Sequence, residues 1–159
     1  MERGRRPAIP LYVQAAGLRS AFPNGRAVVA GSKLKWDGSL QPTALSPTYD
    51  VRLEYTPGTL PRSFLVRPNG RELADSVIAD RALPHIYGEK PLVEMCIFHP
   101  KKREWNSGMQ MALTIVPWMS MWLSFFEDWL ITDIWSGGGE HPVLPKKPSS
   151  KSEEIPLES

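Results

Sequence analysis

Alternation of apolar and polar positions is clearest over Thr48–Tyr55, where Tyr49, Val51, Leu53 and Tyr55 share one face and Asp50, Arg52 and Glu54 the other. A period of two with one polar face predicts a half-buried antiparallel strand. Lys33–Leu40 repeats the pattern, with Leu34 and Trp36 set against Lys33, Lys35 and Asp37, and a turn follows over Gln41–Pro47. Thr56-Pro57-Gly58-Thr59 turns the chain again. A third strand is then expected over Arg62–Arg67, with Phe64 and Val66 inward, ended by Pro68-Asn69-Gly70. Lys33 to Arg67 therefore reads as a three-stranded meander.

Helical spacing occurs at both ends. Residues 11–22 place Leu11, Ala15, Leu18 and Phe22 on one face of a short helix that Gly17 weakens. Pro117–Thr132 is the strongest helix: Pro117 suits a first turn, and Trp118, Trp122, Phe126 and Trp129 run down one side with Met119, Leu123 and Leu130. Ser136-Gly137-Gly138-Gly139 is expected to stop it. Between meander and helix, Arg71–Arg81 reads as a helical turn or an irregular excursion, and Leu83–Trp105 as a long loop whose apolar residues pack it down. The uncharged run Gly108–Phe126 is nineteen residues long, enough to cross a bilayer. Its Asn, Ser, Gln and Thr neighbours and content, central Pro117 and closing Glu127-Asp128 favour instead an extended lead-in and a buried helix.

Composition adds boundaries. A chain of 159 residues suits one domain, expected over residues 1–144, and the polar run from Pro145 reads as a disordered tail over 145–159. Sixteen prolines favour short strands and turns over long helices. A net charge of +2 makes no case for a nucleic-acid partner. Arg3, Arg5 and Arg6 are not followed by a signal-peptide apolar core, so a cytoplasmic setting is expected, with no membrane partner.

The candidate chemistry lies in the long loop. Cys96 is the only cysteine, so an internal disulfide is excluded, and three scattered histidines make a poor zinc set; no metal and no cofactor are expected. What remains is a small buried hydrophobe between Met95 and Ile97, or a nucleophile. Lys101, Lys102 and Arg103 follow closely and suit a field that favours thiolate, or simply face water.

Pro84-His85-Ile86-Tyr87, Met95-Cys96-Ile97-Phe98, Glu104-Trp105-Asn106 and Met111-Ala112-Leu113-Thr114-Ile115 follow the meander in that order. Over about residues 33–132 this series resembles the ubiquitin-conjugating enzymes, in which a meander, a His-Pro-Asn motif, an active cysteine, a Trp and a helix follow one another. With its Trp-rich helix and the segment Gly137-Gly138-Gly139-Glu140-His141-Pro142, it resembles more narrowly the short stand-alone forms of bacterial anti-phage (CBASS) operons. The resemblance implies an α+β fold of the ubiquitin-conjugating type: an antiparallel meander packed with helices, with the active cysteine on a long loop before the main helix. It implies thioester transfer at Cys96. It also implies a cGAS/DncV-like nucleotidyltransferase as partner, its C-terminus the cargo, with an activating enzyme as a further partner.

Ile86 and Tyr87 stand where the family has Pro and Asn, the Asn being linked there to steadying the oxyanion or the loop. That departure sets His85 as a loop brace and Tyr87 as a donor to the oxyanion, or both as loop anchors with satisfied polar tips. His99 is a base candidate or a surface residue beside Pro100, and His141 a residue able to fold back over the site. Trp105 is expected to pack the loop on the core. A non-catalytic scaffold of the same fold is the alternative function.

Overall fold

Among the described residues, six antiparallel strands form one sheet in the spatial order Arg26–Ala30, Lys33–Leu40, Tyr49–Tyr55, Arg62–Arg67, Val93–Met95, Ile86–Gly88, with helices before, within and after them. The computed structural model describes residues 6–76, 81–88 and 91–137. The expected tail from Pro145 and the Gly138–Pro142 segment with His141 lie outside the described residues, as does part of Arg71–Arg81.

Helix α1 spans Leu11–Ala21 and buries Gln14, Ala15 and Leu18. Leu11 and Phe22 pack at the core's margin. Gln14 is the residue the apolar pattern could not supply. Its amide donates to the Met109 carbonyl at 2.8 Å and its Oε1 accepts from Met111 N–H at 3.0 Å. A buried primary amide needs such partners. Here it ties α1 to the 3₁₀ turn Met111–Leu113 that leads into the main helix.

Strands β1 (Arg26–Ala30), β2 (Lys33–Leu40), β3 (Tyr49–Tyr55) and β4 (Arg62–Arg67) make a four-stranded meander, one strand more than the alternation predicts. β1 is an edge strand that buries only Ala27, so its sequence carries no alternation. In β2, Trp36 is 1% exposed and its indole lies over Gly38, where an added Cβ would meet ring carbons at 2.2 Å.

β4 corrects the expected face. Val51 pairs with Leu65 and Leu53 with Ser63, so Ser63 and Leu65 point inward, and Phe64 lies on the opposite face between Arg52 and Glu94. Phe64 is nonetheless buried, with the Arg62 guanidinium 5.0 Å from its ring centre. Cover of this kind on the polar face disguised which side of β4 is the core side.

Leu83–Trp105 is not a continuous loop. It contains β5 (Ile86–Gly88) and β6 (Val93–Met95), and β6 pairs with β4 to extend the sheet. Segment 70–76 forms the short helix α2 (Gly70–Ser76). Asn69 caps it: its Oδ1 accepts from Arg71 and Glu72 N–H, and Glu72 Oε2 accepts from Asn69 N–H, a reciprocal capping arrangement.

Helix α3 spans Ile115–Thr132 and lays Ile115, Met119, Trp122, Leu123, Phe126 and Trp129 into the core. Tyr49 and Phe126 meet edge to face at 6.3 Å. Glu127 accepts from Ser46 and Tyr49 hydroxyls at 2.8 and 2.9 Å, pinning the β2–β3 connection to the helix. The helix ends earlier than the glycine run implies: Asp133 takes the left-handed conformation (φ 63°), and its N–H donates to the Trp129 carbonyl. Arg81 then binds the Trp129 and Leu130 carbonyls, Asp133 and the Trp129 ring, supplying a cation at the helix C-terminus. No helix among the described residues is long and apolar enough to cross a membrane.

Candidate functional site

Cys96 is the first residue after β6, and its position is set by the backbone of His85. His85 takes a left-handed conformation (φ 53°), which bends the chain into β5. Its carbonyl accepts from Cys96 N–H at 2.9 Å and from the buried Trp122 Nε1–H at 2.9 Å. One carbonyl thus joins the cysteine, the edge strand and α3. The His85 ring is buried and stacks on Trp135 with centres 5.0 Å apart.

Tyr87 is one residue along β5 from Ile86, which pairs with Met95, so the phenol arrives beside the thiol. Cys96 Sγ lies 3.2 Å from Tyr87 Oη and 3.7 Å from the Phe98 carbonyl. While the thiol is protonated, Sγ–H donates to Oη; once it ionises, the phenol must donate instead. Tyr87 also reaches the Phe98 carbonyl at 3.4 Å. Burial, then its bond to Cys96, raises the Tyr87 pKa, so the phenol stays a neutral donor.

The thiol itself is half-buried. Burial pushes its pKa up, the Tyr87 hydrogen bond lowers it, and the Glu104 carboxylate raises it again; the net direction is up. The sequence offered Lys101, Lys102 and Arg103 as the nearby field. They are exposed around a 3₁₀ turn (Pro100–Lys102) and are not among the charges that shift Cys96; Glu104 is.

His99 is on the cap of that turn. Its Nδ1 accepts from Lys101 N–H at 3.1 Å, while its own N–H donates to Glu104 Oε2 at 3.0 Å. A ring nitrogen engaged in this way holds the turn in shape. Trp105 is buried and meets Tyr55 edge to face at 5.4 Å, so it seats the loop on the core.

A cavity of about 370 Å³ opens beside the cysteine. His85, Cys96 and Glu104 are the polar residues of its lining, with Ile97 beside them. Trp118, Met121, Trp122, Phe125 and Trp135 form an apolar wall. Helix α3 supplies all of that wall except Trp135, and the same helix builds the core. Among the described residues, no group of three His, Cys, Asp or Glu side chains is placed to hold a metal ion.

Sequence reasoning missed Glu104 and Trp135 as parts of the site. Glu104 follows three basic residues and reads as a solvated charge; only the 3₁₀ turn brings it back toward Cys96. Trp135 lies beyond the end of α3, where no periodicity applies.

A six-stranded antiparallel sheet with flanking helices, and a lone cysteine at the end of an edge-proximal strand, define an α+β protein compatible with the ubiquitin-conjugating class of fold. The match to known families is more specific. Residues 14–142 match the family described as Type II CBASS E2 protein, and the chain belongs to that family. Its role is accordingly in CBASS anti-phage defence. No curated protein matches the chain.

Proposed function

We propose that the protein carries an acyl group on Cys96 as a thioester and passes it on. The cargo is the C-terminus of a cGAS/DncV-like nucleotidyltransferase encoded with it, delivered directly or by an activating enzyme, and the transfer regulates cyclic-oligonucleotide signalling. One observation carries this reading: the only thiol lines a cavity, with a phenol 3.2 Å away.

In the forward step, Cys96 loses its proton and Sγ attacks the incoming acyl carbon. A carbonyl carbon bonded to Sγ brings its oxygen within reach of Tyr87 Oη, which donates to the oxyanion in place of the family's Asn. His85 acts through its backbone, fixing Cys96 and Trp122 by one carbonyl. His99 serves as the cap that presents Glu104. Residues 1–144 act as a single unit.

The raised thiol pKa favours a second reading, a non-catalytic scaffold of the same fold. Phage challenge of cells carrying the full operon separates the two. Cys96→Ala is expected to abolish protection, and Tyr87→Phe to weaken it by about tenfold or more. Full protection by Cys96→Ala selects the scaffold.

A further inference from the structure

Among the described residues, four aromatic side chains line the cavity beside Cys96, and most of them are incompletely covered. Trp122 is buried, but Trp118, Phe125 and Trp135 are half-buried, and Met121 between them is 54% exposed. The rings brace one another. Trp135 lies 5.3 Å from Trp122 and 6.1 Å from Phe125, centre to centre, and stacks on His85 at 5.0 Å. Trp118 meets Phe98 edge to face at 6.0 Å. Gly137 packs against two of these rings so closely that an added Cβ would meet Phe125 at 2.6 Å and Trp135 at 2.7 Å. An apolar wall held in shape while partly exposed gains free energy when an apolar group covers it, and its preorganisation lowers the cost of binding.

Cys96 lines the same cavity, so an acyl chain bonded to Sγ begins there. The bond to sulfur therefore decides the occupant: the cargo's own last residues. The side chain of the terminal residue branches three bonds from Sγ, and that of the residue before it lies one extended residue, about 3.5 Å, further along. Both are within reach of a space of about 370 Å³. We propose that the cavity is a side-chain pocket for the cargo: one of the last two residues of the carried chain bears a large apolar side chain, aromatic or branched aliphatic, that seats against Trp118, Met121, Phe125 and Trp135. This rests on the thioester reading of Cys96 and adds the chemical class of tail that the site accepts. Glycine at that position leaves the wall uncovered, and an amide or charged side chain loses water without finding partners on the rings. Met121 is the most exposed of the wall residues, so selectivity can be altered there with least disturbance of the core.

The test charges Cys96 from thiophenyl esters of N-acetyl dipeptides. The Cys96 thiolate attacks the acyl carbon, the new C–S bond forms as the bond to the thiophenyl sulfur breaks, and the leaving thiophenolate takes up the proton that Cys96 lost. Intact mass follows the adduct. Each peptide has Gly at one position and Gly, Asn, Leu or Phe at the other, in both orders. N-acetylcysteine under the same conditions gives the intrinsic reactivity of each ester.

Relative to that reactivity, Leu and Phe are expected to charge wild-type protein about tenfold or more faster than Gly at one of the two positions, while Asn, close to Leu in size, stays within about threefold of Gly. Met121→Trp fills the pocket from its open side and is expected to lower the ratio of Phe to Gly by about fivefold or more. Ratios of Leu and Phe to Gly that match those of N-acetylcysteine at both positions overturn the proposal alone. So does an Asn rate equal to that of Leu, or a preference for Phe that Met121→Trp leaves intact. Failure of wild-type Cys96 to take any of the acyl groups overturns both this proposal and the reading beneath it.

Discussion

Two neighbours pull the Cys96 thiol in opposite directions, Tyr87 toward ionisation and Glu104 away from it, while burial adds to the second. A thiol pKa raised above its ordinary value leaves less thiolate at neutral pH, so iodoacetamide should alkylate Cys96 more slowly than a free cysteine peptide at pH 7.5. Removing the phenol removes the one contribution that lowers the pKa, so Tyr87→Phe should be slower still. Removing the carboxylate acts the other way, and Glu104→Gln should be faster. Each change is expected to move the rate by about threefold or more. A faster Tyr87→Phe or a slower Glu104→Gln would show that the charges around the sulfur are misassigned. At this scale the sequence was informative about identity and blind to direction. Cys96 stood out by its uniqueness and Tyr87 by its place in the series, but the basic run beside Cys96 left open whether it sets a thiolate-favouring field or simply faces water, and the structure exposes it. Which of Lys101, Lys102, Arg103 and Glu104 turns toward sulfur depends on one 3₁₀ turn, and no spacing rule encodes that.

The elements that hold the site are joined through the His85 carbonyl. Trp122→Phe keeps an aromatic ring in the α3 face but deletes the donor to that carbonyl. Urea unfolding should show a loss of about 1–2 kcal/mol, one buried hydrogen bond plus a small packing defect. A loss below about 0.3 kcal/mol would mean that the indole N–H contributes nothing to seating the loop. Elements with a solvated face were legible: β2, β3 and α3 alternate or repeat as their exposure demands. Those read poorly had competing cover or too little length. Phe64 is covered by Arg62 on the polar side of β4, and β5 and β6 have three residues each, fewer than any periodicity needs. The pairing of β6 with β4 is a long-range fact that local pattern does not contain.

At the scale of the whole molecule, α3 serves two ends at once. Its inner residues complete the core against β3, and its Trp118, Met121, Trp122 and Phe125 wall the cavity at Cys96. That explains why its tryptophans exceed what one helix face requires, a surplus visible in the sequence whose purpose lies in the third dimension. The central claim is that this cavity exists to carry an acyl chain on sulfur. The most direct measurement is the intact mass of the protein purified without reductant from cells expressing its complete operon. An adduct with the mass of the operon's nucleotidyltransferase is predicted on wild-type protein, released by dithiothreitol and absent from Cys96→Ala; Cys96→Ser should hold the same mass as a thiol-resistant ester. Unmodified protein in all three samples, under conditions where the operon protects against phage, would contradict the account.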